Sequence, residues 1–187
     1  KDAVDFALGK EAAQANPSTT ATVPLLGATG LDVATAGAAE LGTKFGWSDQ
    51  LIDHLLHRYG SNISEIVAIA EEEPEMAKPL AQASAYLRAE IAYAITHEGA
   101  LHLEDLMVRR TRMNYEYLNE GMAAVPEVAE IAATLLGWDE QTTAHEVAVY
   151  HQMADAVAAA SLTRDDESAS DVREAAAQIV PLAAPVA

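Results

Sequence analysis

Alanine shapes what this sequence can fold into. It supplies 40 of the 187 residues, in a chain that is 50% apolar. Alanine has the highest helix propensity of all residues, and its small side chain contributes little buried area. Hairpin turn pairs such as Asn-Gly are absent from the sequence. We therefore predict an all-α fold.

Helical periodicity and helix-start signals predict a compact bundle of about six helices over residues 46–162. Ser48 is expected to cap the first helix and Gly60 to end it, while Pro126 and Asp139 are expected to begin the fifth and sixth. The second ends before Pro74, the third covers 85–98 and the fourth 103–112. The positions predicted to face inward are Leu51, Ile52, Leu55, Leu56, Tyr59, Ile63, Ile66, Val67, Ala70, Val128, Ile131, Ala132, Leu135, Thr143, Val147, Tyr150, Ala154 and Val157.

Both ends of the chain differ in composition from this predicted bundle. Residues 1–15 are compatible with a short helix, and 16–45 carry two prolines and four glycines, as linkers do. Residues 163–187 are predicted to form an acidic, poorly ordered tail, whose first part is expected to be disordered or loosely helical. The first residue is Lys, and we expect the sequence to be a piece of a longer protein.

Charge and apolar patterning disfavour nucleic acid as a partner and insertion into a membrane. Eleven Lys and Arg against 29 Asp and Glu give a net charge of −18, which opposes binding to nucleic acid. No run of eighteen apolar residues occurs, so no direct membrane insertion is expected. Without a signal peptide, a cytoplasmic location is expected. The oligomeric state is not predicted by these features.

No catalytic, cofactor-binding or metal-binding residue is predicted in this chain. His54 and His57 lie on the polar side of their helix, and His97 and His102 miss the zinc-protease spacing by one residue. No cysteine is present to ligate a metal. The glycine pair near residue 27 follows no predicted strand, so it is not expected to bind a dinucleotide.

One short stretch concentrates positive charge in this acidic chain: three arginines fall within residues 109–112. Asp105 and Arg109 have the i,i+4 spacing of a helical ion pair, and Arg112 is expected on the same helix face. Arg110 falls within an apolar stripe, as Glu98 does on the preceding helix. These five residues are candidates for structural or domain-interface roles. We predict a buried Glu98–Arg110 pair, with snorkelling of both side chains to the rim of the core as the alternative.

The stretch 86–112, YLRAEIAYAITHEGALHLEDLMVRRTR, resembles the C-terminal helical domain of the FAD-dependent, quinone-linked glycerol-3-phosphate dehydrogenases. The stretches 2–5, 24–27, 58–61, 126–129 and 136–139 are also similar to that family. The matching residues within 86–112 are Tyr86, Leu87, Ala89, Glu90, Tyr93, Ala94, His97, Glu98, Ala100, Leu103, Asp105, Met107, Arg109, Arg110, Thr111 and Arg112.

The resemblance implies that the parent enzyme oxidises sn-glycerol 3-phosphate to dihydroxyacetone phosphate with FAD and passes electrons to quinone, peripherally at the cytoplasmic membrane. Residues 1–45 would then be the end of the catalytic part and a linker, and 46–162 the C-terminal domain. Its partner would be the missing N-terminal flavin domain, and no FAD would bind to this chain alone. Two alternatives stay open: the same domain of a glycerophosphate oxidase that uses oxygen, and a free-standing acidic helical interaction module.

Overall fold

The computed structural model describes residues 6, 7, 9 and 19–176. These residues are mostly α-helical, which confirms the predicted fold class, although they also contain one small two-stranded sheet. They fall into two compact units that divide after Ser64. The domain boundaries predicted at 45/46 and 162/163 stay predictions. Most of the helix expected over 1–15 lies outside the described residues.

The first unit contains helix α1, Leu31–Phe45, where the sequence predicted only a linker. The sequence analysis missed this helix because it interpreted the glycines as linker residues. Gly30 and Gly46 take left-handed conformations at the two ends of the helix, with φ of 82° and 71°. Inside it, a Cβ atom at Gly42 would come within 3.2 Å of the Trp47 carbonyl oxygen. The glycines therefore mark helix ends and a close contact.

Helix α2, Asp49–Tyr59, follows the prediction closely. Ser48 accepts a hydrogen bond from the Leu51 amide at 3.2 Å, and Gly60 ends the helix. A 3₁₀ turn, Gly60–Asn62, then leads into α3, Ile63–Glu72, which stops before Pro74 as expected. The predicted inward positions of these two helices are buried except Leu56 and Val67, which are half-buried.

The second unit begins within α3 and continues into a hairpin that the sequence analysis missed. Strands β1, Pro79–Leu80, and β2, Ala83–Leu87, pair antiparallel with an irregular register. Helix α4, Arg88–Thr96, follows directly, so the helix predicted from residue 85 starts three residues later. The Leu87 amide donates to the Glu90 carboxylate at 2.8 Å, which fixes the start of the helix.

Helix α4 is the centre of this unit. All six residues from Ala89 to Ala94 are buried, so the helix is enclosed on every side. It packs against α6, Val125–Leu136, which in turn packs against α7, Glu140–Ala160. Three short elements follow α4 along the chain and precede α6. They are a π-helix, Asp105–Arg110, the short helix α5, Met113–Glu116, and a 3₁₀ segment, Leu118–Ala124.

The predicted starts of α6 and α7 are confirmed, and several predicted core positions are not. Pro126 lies in the first turn of α6, and Asp139 accepts from the Thr142 amide at 2.7 Å. Leu135 is 41% exposed and Val157 39% exposed, so both were wrongly placed in the core. The half-buried residues Thr143 and Val147 differ from the prediction too, whereas Val128, Ile131, Ala132, Tyr150 and Ala154 are buried.

Part of the predicted tail is helical. Helix α8, Asp166–Glu174, is capped by Asp165, which accepts from the Ser168 amide at 2.8 Å, and it packs on α7 without burying any residue. Residues 177–187 of the predicted tail lie outside the described residues. Among the described helices, none is long and apolar enough to cross a membrane.

Candidate functional site: the arginine segment and its partners

The arginine segment, residues 97–112, begins where α4 ends. Gly99 adopts φ of 70°, and the Ala100 amide bonds back to the Ala94 carbonyl oxygen at 2.9 Å. This left-handed glycine turns the chain away from the helix axis. The sequence analysis ended this helix at residue 98, directly before the glycine, and the observed helix ends at Thr96.

Asp105 has two roles in the segment. Its Oδ2 atom accepts from the amides of Leu101 and His102, at 3.1 and 3.2 Å, and so holds the turn that precedes the next helix. Its Oδ1 atom lies 3.3 Å from Arg109 Nη1, which is the i,i+4 ion pair that the spacing predicted. Arg109 Nη2 also lies 2.6 Å from Glu104 Oε1. Because Arg109 is nearly half exposed, this three-residue cluster contributes little to stability.

The helix that carries the arginines is a π-helix, which the sequence analysis did not foresee. The Leu106 carbonyl oxygen accepts from the Thr111 amide, five residues on, at 2.9 Å, and from the Thr111 hydroxyl at 2.6 Å. The buried threonine thus favours the wider turn. Faces drawn at 100° per residue no longer apply after Asp105.

Arg112 consequently does not share a helix face with Asp105 and Arg109. It lies beyond the end of the π-helix, with a left-handed φ of 65°, and is exposed. Its guanidinium stands 5.6 Å from the centre of the Tyr115 ring, a cation–π distance. The predicted common face is therefore wrong for this residue.

Arg110 and Glu98 do come together, in a different way from the one predicted. Arg110 Nε donates to the Glu98 backbone carbonyl at 3.1 Å, satisfying an acceptor just beyond the end of α4. Both residues are half-buried, so a fully buried pair is not what the structure contains. An ion pair between the two side chains stays a prediction.

His102 and Glu146, 44 residues apart, form a contact that the sequence analysis missed. Glu146 lies on α7; its Oε1 atom is 2.8 Å from His102 Nδ1, and its Oε2 atom accepts from the Leu103 amide at 2.9 Å. An ionised carboxylate only accepts, so Nδ1 is the donor. The side chains are 15% and 13% exposed. No local signal in the sequence pairs these residues, because they are 44 positions apart and meet only in the folded chain.

A small cavity lies beside this contact, lined by His102, Glu104, His145, Glu146 and Tyr150. Its volume of about 10 Å³ corresponds to one water molecule, too small for an organic substrate. The His102 Nε2 atom is buried and has no hydrogen-bond partner among the described residues. Across residues 19–176, moreover, no three His, Asp or Glu side chains are grouped to hold a metal ion.

Two buried tyrosines hold the far end of the segment and the loop that follows it. The Tyr86 hydroxyl, on β2, bonds the Thr111 carbonyl oxygen and lies 2.6 Å from Glu116 Oε2. The Tyr150 hydroxyl, on α7, donates to the Glu120 carbonyl oxygen at 2.5 Å. Burial raises the pKa of Tyr150 to about 12, with the Glu120 charge acting in the same direction. The two hydroxyls thus hold the backbone in place on both sides of α5.

Comparison with known proteins gives this arrangement its context. The model of a protein family described as the C-terminal domain of alpha-glycerophosphate oxidase matches residues 18–143, and these include the whole arginine segment. The chain belongs to this family. The resemblance read from residues 86–112 is therefore confirmed, and the chain is a C-terminal domain of the glycerol-3-phosphate dehydrogenase type.

Curated relatives of this C-terminal domain carry the name glycerol-3-phosphate dehydrogenase. One from Mycobacterium leprae is 38% identical over 175 residues, and glycerol-3-phosphate dehydrogenase 2 of Mycobacterium tuberculosis is 40% identical over the same length. Each alignment covers 94% of this chain and 30% of the relative. The chain thus spans less than a third of the length of these relatives. No solved structure matches it.

Proposed function

We propose that this chain is the accessory C-terminal domain of an FAD-dependent glycerol-3-phosphate dehydrogenase. The parent enzyme would oxidise sn-glycerol 3-phosphate to dihydroxyacetone phosphate and pass the electrons to quinone, lying in the cytoplasm or peripherally at the cytoplasmic membrane. The observation that carries the proposal is the family match over residues 18–143, together with relatives of that name aligned over 94% of the chain. Within the enzyme this domain would pack against the flavin-binding part.

Among the described residues, the turns at Gly27 and Gly30 do not form a cradle for a flavin pyrophosphate. Gly27 and Gly30 lie in turns that precede α1, and no strand leads into them within residues 19–30. Gly27 instead lies against Gly60, where a Cβ atom on either would overlap the other segment's backbone. A pyrophosphate cradle requires a strand, a glycine-rich turn and a helix N-terminus. We therefore assign FAD binding to the remainder of the parent protein and derive no catalytic step for this chain.

Arg112 is the member of the arginine segment best placed to meet another domain. It is exposed, and it is held over Tyr115, which is 67% exposed. Leu118 is 92% exposed, and Asn119 follows it in a left-handed conformation. Non-glycine residues held in this backbone region concentrate at functional surfaces. The surface of Arg112, Tyr115 and Leu118 is accordingly our candidate for contact with the flavin-binding part.

The test compares the long parent protein with the 187-residue chain. The long protein should show a bound-flavin absorbance spectrum and oxidise sn-glycerol 3-phosphate, while the short chain should do neither. A short chain that purifies with one flavin per molecule would contradict the proposal. In the long protein, Arg112→Glu should weaken activity or flavin retention, whereas Arg164→Glu, at another exposed arginine, should leave both unchanged.

A glycerophosphate oxidase is the second candidate, since the matching family is described by that activity. The curated relatives quoted above favour the dehydrogenase instead. Hydrogen peroxide formed in step with substrate oxidation, in the absence of quinone, would identify the oxidase. Reduction of a quinone without peroxide would identify the dehydrogenase.

A further inference from the structure

A turn in the first unit displays apolar side chains to solvent. We name it the leucine turn, residues 23–28. In it Val23 is 61% exposed, Leu25 82% and Leu26 95%. Single exposed apolar residues are common, but three within four positions form a patch of the kind that marks a binding surface.

The leucine turn has a fixed backbone. The Gly27 carbonyl oxygen accepts from the Ser61 amide at 2.8 Å. The contact is close enough to require glycine on both sides: a Cβ atom on Gly27 would overlap the Tyr59 carbonyl, and one on Gly60 would overlap the Gly27 carbonyl. Both glycines also have positive φ, 79° and 58°. The leucines are thus presented by a defined turn that two glycines hold in place.

Helix α1 extends this uncovered region along the chain. The Ala28 amide bonds the Leu25 carbonyl oxygen at 3.1 Å, which folds the turn directly before the helix. No residue of α1 is buried, and its Leu31 and Val33 are 41% and 71% exposed. Its half-buried residues pack against α2 and the 3₁₀ turn, while Leu31 and Val33 are left uncovered. The leucine turn and the exposed residues of α1 therefore form a candidate binding surface.

We propose that the leucine turn is a docking site for the flavin-binding part of the same, longer polypeptide, in addition to the surface of Arg112, Tyr115 and Leu118. The relatives are more than three times as long as this chain, so a large protein body is available to cover it. A membrane is disfavoured as the occupant, because a net charge of −18 is repelled by anionic lipid headgroups. The inference rests on the proposed function for the identity of that covering body.

Cysteine labelling in the long protein tests this docking. The chain contains no cysteine, so Leu26→Cys and Leu25→Cys each add one traceable thiol to it. The control is Leu162→Cys, at a leucine that is 84% exposed in the second unit. Maleimide labelling is followed by mass spectrometry of the peptide that carries each thiol, so cysteines elsewhere do not interfere.

In the native long protein, we expect the thiols at 25 and 26 to label at least about tenfold more slowly than the thiol at 162, since they would react only through opening of the interface. In denaturant the three rates should be equal. Equal native rates would overturn the docking. Protection that grows with protein concentration would overturn it in favour of a second copy, and protection that needs added anionic phospholipid vesicles would overturn it in favour of a membrane.

Hydroxyl-radical footprinting of Leu25 and Leu26 in the unsubstituted long protein gives the same answer without a variant: low oxidation supports the docking, and full oxidation overturns it. The activity assay is independent of both measurements. A long protein that oxidises glycerol 3-phosphate while labelling fast at residue 26 refutes the docking alone. A protein protected there but without flavin or activity refutes the proposed function alone.

Discussion

Helices α2 and α7 differ from the arginine segment in where their structural determinants lie. Each helix is capped by the residue just before it, Ser48 or Asp139, and their first turns follow from neighbouring residues. The arginine segment is held by groups that are distant in sequence: Glu146 is 43 residues from Leu103, and Tyr86 is 30 residues from Glu116. A helix cap can be predicted from the sequence because the capping residue is adjacent to the helix. Contacts between residues that are distant in sequence are seen only in the folded chain.

The largest expected effect tests the long-range side of this comparison. Glu146→Ala removes the acceptor of both the Leu103 amide and His102 Nδ1, leaving two poorly exposed donors unpaired. We expect it to lower the free energy of unfolding by about 2–4 kcal/mol, as measured by urea denaturation. Glu130→Ala, at an exposed glutamate on α6, is the control and should change it by less than about 0.5 kcal/mol. A small effect at Glu146 would mean that the clamp is dispensable.

The same distinction explains how much of the fold the sequence could predict. Capping residues and a proline predicted the starts of α2, α6 and α7, because residues within a few positions determine where a helix begins. The hairpin before α4 was missed because backbone groups, which every residue carries, hold it together. The Arg88 amide, for example, donates to the Lys78 carbonyl oxygen at 3.0 Å. Leu135 was placed in the core because helical spacing identifies an apolar face without its width.

For the candidate site, the sequence predicted the local contact and missed the others. Asp105 and Arg109 pair as expected because i,i+4 spacing is a local rule. The π-helix displaced Arg112, and only the Thr111 contacts with Leu106 explain it. Glu98 meets Arg110 through its backbone carbonyl, a group that every residue carries and that no sequence pattern singles out.

A second long-range contact gives a pH-dependent effect. The pKa of Tyr150 is raised from 10.0 to about 12, chiefly by burial, so the folded state retains the proton between these pH values while the unfolded state releases it. We therefore expect stability to fall as pH rises from 10 to about 12, by about 2–3 kcal/mol in total. Tyr150→Phe should lose that part of the alkaline decline in urea midpoints. Tyr115→Phe, at an exposed ring, should retain it.

The local side of the comparison should give a smaller effect. Ser48→Ala removes the acceptor of the Leu51 amide and should cost about 1 kcal/mol, the usual value for an N-cap. Ser48→Asp retains an acceptor at the cap and should stay close to the parent stability. Thermal unfolding of the two variants distinguishes these outcomes. Equal losses from both would show that the capping bond is not the source of the effect.

The smallest expected effect concerns Glu98 and Arg110, where a buried pair would have given one of the largest. Removing one partner of a fully buried pair costs roughly 3–5 kcal/mol. Both residues are half-buried, however, and Arg110 Nε donates to a backbone oxygen that Glu98→Gln retains. We expect Glu98→Gln to be nearly neutral and Arg110→Met to cost less than about 1 kcal/mol, the range of partly exposed ion pairs.

The double variant completes this test, because it separates pairing from the individual losses. With the contact made through the backbone, the coupling energy between Glu98→Gln and Arg110→Met should be below about 0.5 kcal/mol. A coupling of several kcal/mol in urea denaturation would restore the buried side-chain pair. It would also place this contact beside Glu146 among the strong long-range clamps, and the arginine segment would then depend on α4 as much as on α7.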